Sequence, residues 1–393
     1  MKGKLIPLVF FILISITPLL YAADTLSVSK TKLHFELAEN VGKAVANQPS
    51  FPSVKTAQLT EFSILRQCNG AETWHQYYHF PETGVTFLFG TFGNQEVLGN
   101  VFAAFSTINF EKNKERRWVF QKKLGFGFAY FNRPYNIQSN RENIVIGSSV
   151  TAVASLVLGA KYKVSDYLSI SLGGAYFHFS NGHYQLPNLG LNSVNLRAAV
   201  SYYPFKRQNN FSAHEKLNRK NKFQLNLKMG LGINERGGTL GPSNGPKYPI
   251  YLASVSVSKR YTPKAGFQVG VEGNYNTGAH DYILSNEVFE TKVKLKSCTS
   301  IFFLGHEYFW KHLSFVLQGG VYLYNPFYRE LLNQQKTITT KQHLKALFTT
   351  KFGFQYYLHN TYKVFKNQIY IGSYVKANLG QADYWENSLG FCF

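Results

Sequence analysis

Residues 223 to 233 alternate strictly: Phe223, Leu225, Leu227, Met229, Leu231 and Ile233 are separated by Gln224, Asn226, Lys228, Gly230 and Gly232. A period of two puts all the apolar side chains on one face of an extended strand and the polar or small ones on the other, a pattern no helix can use. It recurs along the whole chain. Candidate strands lie near 27–38, 57–67, 76–91, 97–109, 117–131, 147–162, 167–180 and 192–204. A second set lies near 222–234, 248–260, 265–278, 290–305, 312–324, 344–358, 368–379 and 385–393, giving about 16 in all. An even number of two-faced strands, with 16% aromatic residues and 32 glycines, is what a closed transmembrane antiparallel β-barrel requires. Beyond residue 22 no apolar run approaches the roughly 18 residues of a membrane-crossing helix. The expected fold is therefore all-β, a transmembrane antiparallel barrel of about 16 strands (12 to 16), with duplication of an eight-stranded unit as a plausible origin. One wide barrel is expected rather than two, because no separate closing signal stands near Phe205.

The flanks fit an envelope protein. Lys2 and Lys4 precede an apolar stretch from Leu5 to Leu20 and the small residues Ala22 and Ala23, which reads as a signal peptide over 1–22. The mature chain then divides into 23–205, a basic periplasmic connection over 206–220, and 221–393, the last expected to complete the barrel. Loop lengths agree: Lys163–Asp166 and Tyr261–Lys264 make short turns on one side, whereas 132–146, 235–247 and 325–343 make long loops on the other. The C-terminus places Leu389, Phe391 and Phe393 on one face, which resembles the strand signal read by the outer-membrane barrel assembly machinery. The expected location is the bacterial outer membrane.

Charge narrows the partners. The net charge of +21 falls to +19 once Lys2 and Lys4 leave with the signal, and such a surplus calls for an anionic partner. An exported chain has little access to nucleic acid, so phosphorylated lipid head groups are the better candidate. Three widely spaced cysteines, Cys68, Cys298 and Cys392, make no disulfide framework. The glycine-rich 237–246 lacks the Lys-Ser or Lys-Thr of a phosphate-binding loop, and His306 and Glu307 lack the spacing of a zinc-binding helix.

One stretch carries chemistry: "HFSNGHYQLPNLGLNS", residues 178 to 193. On the strand that enters it, Leu168, Ile170, Leu172, Gly174 and Tyr176 form the lipid-facing side, and His178 and Ser180 continue that side toward the outer leaflet. Across the expected hairpin, Asn192 shares the face with Val194, Leu196, Ala198 and Val200. A histidine beside a serine, oriented by a third polar group, is the arrangement that makes a hydroxyl nucleophilic. Polar residues at a strand's outer end are also ordinary interfacial residues. The hairpin, the face, the leaflet and the charge together favour catalysis.

The stretch resembles the active-site hairpin of the PagL-type outer-membrane lipid A deacylases, the acyloxyacyl hydrolase family, in its His-x-Ser-Asn, Pro-Asn-x-Gly and third catalytic position. The resemblance covers roughly 27–205 and is specific around the hairpin. It implies Ser180 as nucleophile, His178 as general base, Asn181 and nearby amides as oxyanion support, and hydrolysis of an ester-linked 3-hydroxyacyl chain of lipid A, with no metal or cofactor. Where the family has Glu, this chain has Asn192, which can orient a histidine but brings no charge. Arg133 and Arg141, on a long outer loop, are the candidates for lipid A phosphates. The competing reading is a non-catalytic pore or structural barrel carrying a relic site.

Overall fold

The computed structural model describes residues 32–207, 222–238, 240–335, 337–363 and 367–393. The signal peptide and all of the basic connection except Lys206 and Arg207 lie outside the described residues. The alternating segments form sixteen antiparallel strands, as the periodicity predicts, but they close into two barrels of eight. The contact pattern divides the chain accordingly, into Met1–Asn181 with Pro187–His214, and Gly182–Leu186 with Glu215–Phe393.

The first barrel comprises β1 (Leu33–Ala44), β2 (Ala57–Gln67), β3 (Glu82–Thr91), β4 (Asn100–Lys112), β5 (Trp118–Phe131), β6 (Val150–Lys163), β7 (Leu168–Ser180) and β8 (Leu191–Tyr202). It closes between its first and last strands, from Phe35 opposite Tyr202 to Ala44 opposite Ser193. The second comprises β9 (Phe223–Glu235), β10 (Lys247–Thr262), β11 (Ala265–Asn276), β12 (Cys298–Trp310), β13 (Leu313–Tyr324), β14 (Phe348–Tyr357), β15 (Gln368–Asn378) and β16 (Gln381–Cys392). It closes where β16 meets β9, from Trp385 opposite Ile233 to Cys392 opposite Asn226, and Phe393 continues the ladder through its N–H to the Leu225 carbonyl at 2.9 Å.

The single wide barrel is thus corrected, and so is the role of 221–393 in completing it. A sixteen-stranded ring leaves a water-filled lumen, whereas eight strands leave only enough room for side chains. Here inward-facing charges pair with one another within each half. In the first barrel Arg197 bridges Glu36 at 2.7 Å and Glu61 at 3.0 Å, Lys123 also pairs with Glu36, and Lys161 reaches Glu111 at 2.6 Å. In the second, Lys228 lies 2.8 Å from Glu386 and 3.1 Å from Glu272, and Lys351 engages the same two carboxylates. Charges buried this deeply persist only when paired and hydrogen-bonded.

Several strand boundaries also move, β1 among them, which runs to Ala44 rather than ending near 38. Val293–Lys296 coils into a short helix, so β12 begins only at Cys298, and Thr73–Tyr77 forms a helical turn ahead of β3. Among the described residues no helix is long and apolar enough to cross a membrane. The strands do the crossing, and their outer faces are apolar: Leu172, Leu196, Met229 and Leu304 are among the exposed large side chains. Met229, the middle residue of β9 and facing outward, is expected to tolerate a charge poorly. Met229→Arg should cost about 2–4 kcal/mol in a urea titration of the protein in lipid vesicles, the penalty of a cation near the bilayer midplane.

Candidate active site

β7 places the chemistry because its inward residues leave it no choice of register. Phe177 and Phe179 are fully buried, and Phe179 meets Phe92 and Phe131 edge-on with ring centroids 5.4 Å apart in each case. These rings belong to an apolar core that fills the outer half of the first barrel with Leu59, Leu98, Val145 and Leu191. Slipping β7 by one residue would turn both rings to the outside and every outward side chain into that core. His178 and Ser180 are therefore held on the lipid-facing wall, as the alternation predicts.

β8 brings the third group. Asn192 lies directly opposite His178 in the β7–β8 ladder. The His178 Nδ1 atom is 2.7 Å from Asn192 Oδ1, and the Tyr176 hydroxyl donates to the same oxygen at 2.6 Å. An amide oxygen carries no proton, so the histidine must carry its hydrogen on Nδ1, which leaves the Nε2 lone pair free to accept a proton.

The turn between the strands shapes the surroundings of Ser180. Asn188 Nδ2 donates to Ser180 Oγ at 3.0 Å, while the Asn181 backbone N–H donates to Asn188 Oδ1 at 3.3 Å. The second bond holds Asn188 Oδ1 on the Asn181 N–H, and the Ser180 hydroxyl also donates to that oxygen at 3.5 Å. Asn181 itself is buried, and its Nδ2 donates to Ser148 Oγ at 3.2 Å, so its side chain braces the turn against the neighbouring loop. Gly190 closes the turn at φ +76°, a left-handed conformation suited to glycine, and a Cβ there would come within 3.5 Å of His178 Cε1.

The structure brings His178 and Asn192 together, keeps Ser180 on their face, and gives Asn181 a bracing position. Arg133 and Arg141 lie on the loop between β5 and β6, which pairs with the turn through Leu189 N–H to Ile144 O at 3.3 Å and Gly190 N–H to Val145 O at 3.2 Å. Both arginines are exposed, and the Arg141 Nε bonds back to the Ile137 carbonyl. Two residues escaped the sequence reading. Asn188 stood in the Pro-Asn-x-Gly motif without a role, and Tyr176 looked like one more residue of the lipid-facing stripe. Only the hydrogen bonds show Asn188 on Ser180 and Tyr176 on Asn192. Among the described residues no group of three or more His, Cys, Asp or Glu could hold a metal ion.

Two closed antiparallel barrels with apolar outer walls are the architecture of an outer-membrane protein, and His178 and Ser180 share one such wall. Residues 60–201 match the family model for lipid A 3-O-deacylase (PagL), and residues 221–393 match the model for the acyloxyacyl hydrolase C-terminal domain. The chain belongs to this family of outer-membrane hydrolases, which act on ester bonds. Its second half, which the motif reading left without an assignment, is thus part of the same family pattern.

No curated protein matches the chain. Among solved structures it is similar to Neisserial surface protein A, at 12% identity over 44% of this chain and 96% of that one, with a TM-score of 0.30. It is similar to the outer membrane enzyme PagL at 14% identity, over 42% and 97%, with a TM-score of 0.28. It also aligns with the toluene transporter TodX of Pseudomonas putida at 10% identity, over 94% and 91%, with a TM-score of 0.17.

Proposed function

We propose that this lipid A deacylase is a serine esterase that removes an ester-linked 3-hydroxyacyl chain from lipid A in the outer leaflet. The observation that carries this reading is the 2.7 Å contact between His178 Nδ1 and Asn192 Oδ1 on the lipid-facing wall, with Ser180 two residues further along the same face. His178 Nε2 takes the Ser180 Oγ proton as the oxygen attacks the acyl carbonyl. The tetrahedral oxyanion is stabilised by Asn188 Nδ2 and neighbouring backbone amides, with Asn181 holding Asn188 in place. The C–O bond to the sugar then breaks, and the imidazolium returns its proton to the departing sugar oxygen. Water, activated by the same imidazole, releases the fatty acid from Ser180 in a second attack.

Arg133 and Arg141 sit on the loop beside the site and supply cations for the phosphates of the lipid head group. The terminal strand β16, with the Phe393 that follows it, is the segment by which the barrel assembly machinery recognises the chain. The pore reading is disfavoured by the contents of the barrels: Phe92, Phe131, Phe177 and Phe179 fill the first, and the lysine and glutamate pairs cross the second.

Incubating the purified protein with lipid A and identifying the released acids by gas chromatography and mass spectrometry tests this reading. A 3-hydroxy fatty acid is expected. Release of a non-hydroxylated acid would assign the wrong ester, and release of none would remove the reading.

A further inference from the structure

We propose that Tyr176 is a positioning residue that makes an amide serviceable where a carboxylate would normally orient the histidine; this rests on the esterase reading above. A carboxylate has two equivalent oxygens and offers His178 an acceptor whichever way it turns. An amide does not. Rotated by half a turn, Asn192 would aim its NH2 group at Nδ1 and drive the imidazole proton onto Nε2, the nitrogen that must accept the serine proton.

The geometry points to Tyr176 as the group that opposes this rotation. It lies on the same face of β7 as His178, opposite Val194 and diagonal to Asn192, a cross-strand spacing an aromatic side chain can span. Its hydroxyl donates to Asn192 Oδ1 at 2.6 Å while His178 Nδ1 meets the same atom at 2.7 Å. A carbonyl oxygen has two lone pairs, and here one is directed to each donor. A phenol is a better donor than acceptor, so the bond from its O–H favours the orientation that turns Oδ1 toward Tyr176 and Nδ1 together. The ring is 39% exposed, so the phenol packs into no core that would by itself demand a tyrosine.

The simpler reading is a tyrosine of the interfacial aromatic girdle, whose hydroxyl serves the membrane boundary. The two separate in a double-mutant cycle on kcat and KM for an ester-linked 3-hydroxyacyl glucosamine phosphate, using the full chain in lipid and the variants Tyr176→Phe, Asn192→Glu and both together. Tyr176→Phe removes one exposed oxygen and keeps the ring. In the native background kcat is expected to fall about 10-fold with KM nearly constant, the size of one well-placed hydrogen bond. In the Asn192→Glu background the same change should alter kcat less than about 2-fold, because a carboxylate needs no such restraint.

Equal losses in both backgrounds, no loss in the native one, or a change confined to KM would overturn the role of Tyr176 and leave the esterase standing. Activity in Asn192→Glu but none in the native chain would show that the tyrosine does not make the amide serviceable. Inactivity of both the native and Asn192→Glu proteins would instead overturn the esterase reading itself.

Discussion

Ser180→Ala is expected to reduce lipid A deacylation about 10⁴-fold or more, because no neighbouring group can replace the attacking oxygen. Asn188 and His178 would remain in place, and Asn192 would still hold the imidazole, so the variant should bind substrate and form an unchanged barrel. His178→Ala should cost nearly as much, and the double variant no more than either alone, since the two side chains act in a single proton transfer. Single-turnover release of the hydroxy acid by purified protein is the measurement. Losses that add rather than coincide would mean that the serine and histidine work independently, contrary to the mechanism proposed here.

The second large effect lies in the second barrel and concerns stability. Glu386 is fully buried and engages both Lys228 and Lys351. Glu386→Leu leaves two ammonium groups to share Glu272 alone, so a loss of about 3–5 kcal/mol is expected, the usual cost of stranding a buried charge. Adding Lys351→Met should recover much of it, because Lys228 and Glu272 then remain as a balanced pair at 3.1 Å. Urea titration in vesicles, followed by the shift between folded and heat-denatured forms on gels, reads both. A single variant as stable as the native chain would show that the quartet does not hold the barrel together.

Much of this architecture was legible because strand alternation is a local signal. The outward stripe of β7, from Leu168 through Tyr176 to Ser180, could be read directly, and with it the side of the wall on which His178 falls. Barrel number could not be read that way. Closure depends on which distant strands exchange hydrogen bonds, and the stretch around Phe205 carries no local mark of the fact that β8 turns back to β1. A subtler signal was present. The inward positions of the first half include Glu36, Glu61, Lys123 and Arg197, and those of the second include Lys228, Glu272, Lys351 and Glu386. Each set pairs its charges within its own half, as separate packed interiors require and a single wide lumen does not.

At the site the same division holds. The motif gave His178, Ser180 and Asn192, whose spacing is set by the hairpin. Asn188 and Tyr176 were missed because their parts depend on side-chain direction across a turn and along a diagonal. A sequence pattern of period two does not encode either.

In the mechanism proposed for this site, the outward-facing serine of the first barrel cuts an acyl ester of lipid A. The most direct test is the mass of lipid A extracted from bacteria producing either the native chain or Ser180→Ala. The native chain should yield lipid A lighter by one 3-hydroxyacyl group, and the variant should yield the full mass. An unchanged mass with the native chain, or the same loss with both, would contradict the account.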